Sequence, residues 1–371
     1  MREPSRREFL KQLGAFSALF TATPKIFASD AGAKPFEFLV VGDSVIWGQG
    51  LPEEEKFYYL TKKWLENEVF KGARRINQKV LAHSGASINL RDFEAKAIEK
   101  AEIGETEFFH REINLSFPSI HAQIAAALAE YENPSDVDLI MLTGGITDVR
   151  LTQILNPLKS NDELRRDIER HCGGAMTELL KQAAENFPNA LIVLVGYYPP
   201  LSKHTPAKRI FKNLLELYKV PQPFEAMINN PLNRTLLKYY REKMVRRSLI
   251  WAEDSNAHFR KAVERVNSYF GAERVVFVQS PIGEENALGA KNTLLFEVGK
   301  KGKAPDALAA ERLSVCAPTL ECLRKETKLT LKTKTCELAT IGHPNAAGSR
   351  AYAEAVQNAL KPRIMKEVSN P

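Results

Sequence analysis

Five short runs rich in β-branched and bulky apolar residues, at 36–41, 76–81, 137–142, 190–196 and 274–278, are each separated from the next by more than thirty residues. Hairpin loops use about two to five residues, so consecutive runs this far apart do not pair as hairpins. The stretches between them, at 57–70, 121–131, 168–186 and 257–269, carry apolar residues at helical spacing. Strand and helix therefore alternate, the order that gives an α/β fold with a parallel sheet covered on both faces. At 371 residues the chain has room for two units or one large α/β unit, at about 150 residues per domain. No internal repeat or low-complexity tract divides it.

In open sheets of this kind the chemistry gathers just beyond the carboxyl ends of the strands. The first run is followed by Gly42, Asp43 and Ser44, the second by Ser84, Gly85 and Ala86, and the third by Thr143, Gly144, Gly145, Ile146, Thr147 and Asp148. Near the chain end Ile341, Gly342, His343, Pro344 and Asn345 precede Gly348 and an alanine-rich helical stretch. Ester hydrolysis needs a hydroxyl activated by a neighbouring base, and donors where the carbonyl oxygen turns anionic. Ser44 and His343 are the residue types for nucleophile and base. A serine between strand and helix has a plainer use as a helix N-cap, and the late His343 is what favours the nucleophile.

In this order the four fragments resemble the blocks of the SGNH hydrolases, the GDSL esterase and lipase superfamily. Those blocks are a Gly-Asp-Ser turn, an isolated Gly, a Gly-x-Asn-Asp segment and a late Asp-x-x-His-Pro. The resemblance spans about residues 36–362, and the stretches 196–200 and 342–348 resemble a bacterial secreted branch. It implies a three-layer αβα sandwich on a parallel, flavodoxin-like five-stranded sheet. It also implies an acyl-enzyme on Ser44, His343 as general base, and an oxyanion hole made by the Ser44 and Gly85 N–H groups and the side chain of Thr147. Asp43 would fix the nucleophile turn and Asp148 brace the third-block loop. The substrate would be a small-molecule, lipid or glycan ester.

Two positions depart from that pattern. Thr147 stands where the family has Asn and offers one hydroxyl donor in place of an amide; losing one oxyanion donor costs on the order of 10²–10³ in turnover in other enzymes. Thr340 stands where the family has Asp, and losing that charge costs on the order of 10⁴ in a serine protease. The group that orients His343 is thus open among a backbone carbonyl, the Thr340 hydroxyl, Glu337 and Asp306, with a Ser-His dyad expected. The same substitutions support an alternative, an SGNH-fold ligand-binding protein weakened or inactive in catalysis. An acyltransferase is a third use of the same residues.

Residues 1–33 read separately. Arg2, Arg6, Arg7 and Lys11 precede a short apolar stretch at 13–22 and the small residues Ala28 and Ala31, the layout of an export signal. The run from Ser5 to Lys11 resembles the twin-arginine motif, which implies the twin-arginine export machinery as a partner and a periplasmic or secreted mature chain of residues 34–371. No apolar run reaches the roughly 18 residues of a membrane span. The formal charge of +7 falls to +5 without the five basic and three acidic residues that precede position 32. The remaining basic residues are dispersed over solvated helix faces, so no nucleic-acid partner is expected.

In an oxidising compartment the four cysteines, Cys172, Cys316, Cys322 and Cys336, predict a disulfide within the late cluster, the pairing being open. No Cys-x-x-Cys pair, P-loop, dinucleotide fingerprint or haem attachment pair is present, so neither metal nor cofactor is expected. His83 and the scattered His110, His121, His171, His204 and His258 read as structural. The stretch from about 201 to 255 exceeds what a crossover needs and predicts a helical cap over the site.

Overall fold

The computed structural model describes residues 34–102, 104, 110–206, 234–297, 306–329 and 333–369. Strands β1 (Phe36–Val41), β2 (Ile76–Val80), β3 (Val137–Leu142), β4 (Leu191–Val195) and β5 (Val275–Val278) pair in parallel in the order β2-β1-β3-β4-β5. Each expected strand is present, with β2, β4 and β5 one or two residues shorter than read from the sequence. The principal helices are α1 (Ser44–Trp47), α2 (Phe57–Trp64), α3 (Ile120–Glu130), α4 (Asn161–Ile168), α5 (Met176–Asn186), α6 (Arg234–Phe270), α7 (Ala309–Thr327) and α8 (Ala346–Ser369).

A parallel sheet buried on both faces needs apolar side chains at consecutive positions, because successive residues point to opposite sides. In β1, Phe36, Phe38 and Val40 enter one core and Leu39 and Val41 the other; in β4, Val193 and Val195 oppose Ile192 and Leu194. The first core is closed by Phe57 and Trp64 of α2 and by Tyr352, Val356 and Leu360 of α8. The second is closed by Ile124 of α3, Leu179 and Leu180 of α5, and Trp251 and Phe259 of α6. Each such side chain, fully buried, contributes about 1.5–3 kcal/mol. The result is a three-layer αβα sandwich.

Two helices begin earlier than their apolar spacing suggests. Ser160 caps α4, its Oγ accepting the Asp162 N–H at 3.1 Å, and the helical path then runs through a wide turn at Glu169–Ala175 into α5. In α6 the inward positions Ser248, Ser255 and Asn256 are polar yet buried, which breaks the apolar period in the sequence. Ser248 Oγ bonds the Leu201 N–H and C=O at 2.8 and 2.7 Å, and Asn256 bonds both backbone groups of Tyr197. About half of the expected cap, 207–233, lies outside the described residues, as does the export signal at 1–33. From Met244 onward the segment enters the core. No helix among the described residues is long and apolar enough to cross a membrane.

A third, smaller cluster lies apart from the sheet. Ile98, Ile113, Leu115 and Phe117 pack there against Cys316, Leu320, Leu323 and Cys336. Cys316 and Cys336, 20 residues apart, form a disulfide, while Cys172 is a buried thiol. Closing a loop of this length restricts the unfolded chain and is worth about 3 kcal/mol. The Cys316→Ser, Cys336→Ser double variant is therefore expected to lose about that much stability in urea titration; an unchanged midpoint would contradict it.

Candidate active site

The turn between β1 and α1 leaves room only for glycine at its first position. Gly42 has φ +136°, and a Cβ there would lie 2.5 Å from the Thr143 carbonyl oxygen. Its N–H donates to Gln123 Oε1 at 2.7 Å, and Gln123 Nε2 donates back to its carbonyl at 3.1 Å. Asp43 caps α1 by accepting the Val45 N–H at 2.9 Å. It also accepts the Thr143 hydroxyl at 2.8 Å and the Tyr197 hydroxyl in a short bond. Burial raises its carboxyl above the ordinary range, against the pull of these donors. Because Asp43 takes the cap, Ser44 occupies the first helical position with its side chain uncommitted to the backbone.

Ser44 Oγ lies 2.8 Å from His343 Nε2. The histidine comes from a short crossing of two loops: Gly342 N–H donates to the Phe296 carbonyl at 2.9 Å, and Phe296 N–H to the His343 carbonyl at 2.8 Å. Asn345 then caps α8, its Oδ1 accepting from Ala347 and Gly348. Tyr198 adds a bond from its hydroxyl to the Gly342 carbonyl at 2.8 Å. Burial pushes the imidazole down to about 4, partly opposed by the Thr340 and Ala339 carbonyls, with Arg312 lowering it and Asp306 raising it. Nδ1 is buried and makes no hydrogen bond among the described residues.

The loops after β2 and β3 are tied to one another. Gly85 has φ +82°, and a Cβ there would stand 2.7 Å from the Leu115 nitrogen, so only glycine lets the segment 110–119 pack against it. Asp148 accepts the Ile88 N–H at 3.0 Å, bridging the two loops, and burial raises its carboxyl to about 6. Thr147 stands half-buried on the turn Ile146–Val149. His83 is buried, with Nδ1 2.9 Å from the Ser84 carbonyl oxygen.

Behind His343 lies an ion-pair hub that no motif announces. Arg312, fully buried on α7, donates to Glu112 at 2.9 Å, to both oxygens of Asp306 at 3.0 and 2.9 Å, and to the Cys336 carbonyl at 2.7 Å. Glu112 accepts further from Trp47 Nε1 at 2.7 Å, Gln49 Nε2 at 3.1 Å and the Gly50 N–H at 3.1 Å. Asp306 accepts the Thr340 hydroxyl at 3.0 Å. Glu337, on the short turn Lys334–Glu337, is half-buried. No group of three or more His, Cys, Asp or Glu side chains among the described residues is arranged to hold a metal ion.

No family model matches the chain, and no curated protein matches it. Among solved structures it is similar to phospholipase A1 from Streptomyces albidoflavus NA297, at 12% identity and TM-score 0.43 over 88% of this chain and 99% of that one. It is also similar to an extracellular lipase from Streptomyces rimosus, at 13% identity and TM-score 0.44 over 87% and 99%. A carbohydrate acetylesterase from Sinorhizobium meliloti is similar at 12% identity and TM-score 0.38 over 88% and 99%. What the side chains around Ser44 can do chemically is independent of these likenesses.

Proposed function

We propose that this protein is a serine hydrolase of carboxylic esters, of SGNH type, exported through the twin-arginine route to the periplasm or beyond. The observation that carries the reading is the 2.8 Å contact between Ser44 Oγ and His343 Nε2. In the reaction His343 Nε2 takes the Ser44 proton as Oγ attacks the ester carbonyl carbon. The resulting oxyanion accepts from the Ser44 and Gly85 N–H groups and the Thr147 hydroxyl. Collapse expels the alkoxide, which the imidazolium protonates, and water repeats the sequence on the acyl-enzyme. No residue outside this set is needed to balance the protons.

Only neutral His343 can act as base. Its value of about 4, below the roughly 6.5 of an ordinary histidine, keeps it neutral well into mildly acid solution. kcat/KM is accordingly expected to stay level from neutral pH to about 5 and to fall below that as Nε2 protonates. A midpoint near 6.5 would show an imidazole more hydrated than this geometry allows.

The test of the reading is hydrolysis of a p-nitrophenyl ester series from acetate to palmitate, with a serine-reactive phosphonate followed by mass spectrometry. Turnover with label on Ser44 supports it and ranks acyl lengths. Neither turnover nor label would move the ligand-binding reading ahead, a reading favoured by the lack of a carboxylate on His343 Nδ1 among the described residues. Acyl transfer would appear as turnover stimulated by a sugar acceptor.

A further inference from the structure

A base whose charged form is disfavoured by burial needs help at the moment it takes the Ser44 proton. The usual help is a carboxylate on Nδ1, and none of the described residues supplies one. A carboxylate that favours the charged imidazole is that of Asp306, and it reaches the histidine's turn through Thr340. The Thr340 hydroxyl donates to Asp306 Oδ2 at 3.0 Å, and the Thr340 carbonyl accepts the His343 N–H at 2.9 Å. Thr340 and the Asp306 side chain are both fully buried.

We infer that Asp306 is the positioning acid of this site, holding the Thr340 turn that carries His343 and placing its negative charge behind the imidazole without touching it. The inference rests on the hydrolase reading above. The hub is built for the role in two ways. Arg312 is shared between two carboxylates, Asp306 and Glu112, so the ion-paired set carries one net negative charge in a buried place. At the imidazole itself Arg312 opposes the charged form and Asp306 favours it, so the acid offsets the cation it binds. Beyond Glu112, Lys56 lies 3.4 Å from Glu53 and 3.0 Å above the Trp47 ring, with Arg111 over the same ring.

The second way is steric. Gly50, at the exit of α1 with φ +82°, comes so close that a Cβ there would lie 2.2 Å from Thr340 Cγ2 and 2.9 Å from Asp306 Cβ. The nucleophile's own segment thus presses on Thr340 and Asp306 while Glu112 holds that segment by the Gly50 N–H. Position and charge are delivered by the same three side chains.

The test is Asp306→Asn in the full chain, assayed on p-nitrophenyl acetate across pH, with His343 titrated by NMR in parallel. kcat is expected to fall about 10–100-fold with KM little changed, less than the loss seen when an acid in direct contact is neutralised. The acid limb of kcat/KM and the His343 titration should both move to lower pH, since removing a negative charge makes imidazolium less favourable. A folded variant with neither displaced would overturn the inference, as would a rise in KM at constant kcat.

If Asp306→Asn does not fold, Thr340→Val and Thr340→Ser carry the test. The valine variant should lose about tenfold in kcat and the serine variant, which keeps the hydroxyl, should regain most of it; equal rates would overturn the idea. A wild-type protein inert toward every ester would defeat the hydrolase reading, and the NMR titration of His343 in Asp306→Asn would still decide the coupling.

Discussion

Ser44→Ala is expected to reduce ester hydrolysis by about 10⁴-fold or more and to abolish phosphonate labelling, with little change in stability. Nucleophile, base and oxyanion donors act as a unit, so removing the nucleophile leaves only the residual rate that binding and the donors provide. The fold should not suffer, because the cap of α1 is Asp43 and the Ser44 hydroxyl engages His343 across 299 residues of sequence. The measurement is paired: turnover on the preferred p-nitrophenyl ester, and urea unfolding of both proteins. Retained turnover would place the nucleophile elsewhere; a large fall in stability would assign Ser44 a structural duty that its contacts do not suggest.

The largest effect on stability is expected at Arg312. Truncation to leucine leaves Glu112 and Asp306, both buried, facing one another without their shared cation. Breaking a buried ion pair from one side costs about 3–5 kcal/mol because the orphaned charge stays desolvated. Arg312→Leu should therefore unfold at much lower urea than wild type. Lysine is not an adequate replacement, since the four acceptors are met by a planar fork with donors in three directions. Wild-type stability in the leucine variant would mean that the two acids take up protons at little cost.

What could be read in the sequence and what could not divides along a physical line. The strands and the Gly42-Asp43-Ser44, Gly85 and His343 fragments lie in local patterns: a continuous apolar run, then small or chemically active residues where the sheet ends. Thr340 was legible as a departure, because a non-ionising residue three before the histidine is visible without coordinates. The hub was not, since Arg312 and Glu112 are 200 residues apart and an ion pair of that separation leaves no periodic trace. Asp306 was only one of several possible acids until the Thr340 hydroxyl was seen to reach it.

The first half of α6 was hidden for a different reason. Ser248 and Asn256 look like solvent-facing residues, yet they bond the backbone leaving β4 and so belong inside. Tyr197 and Tyr198 lie in the stretch 196–200, whose resemblance to a secreted branch is local. Their hydroxyls tie that strand end to Asp43 on one side and to the Gly342 carbonyl on the other, and nothing short of the fold reveals such a bridge.

The pairing of Ser44 with His343 joins a residue near the start of the described chain to one near its end. No continuous fragment that stops before residue 343 contains both groups, and the turn after β1 meets His343 only once the segment leading into α8 is in place. Contacts of such long sequence separation form late, after the intervening loops have closed. On the hydrolase reading proposed above, competence would require a chain continuous through His343, and a fragment that stops short of it is expected to be silent toward esters.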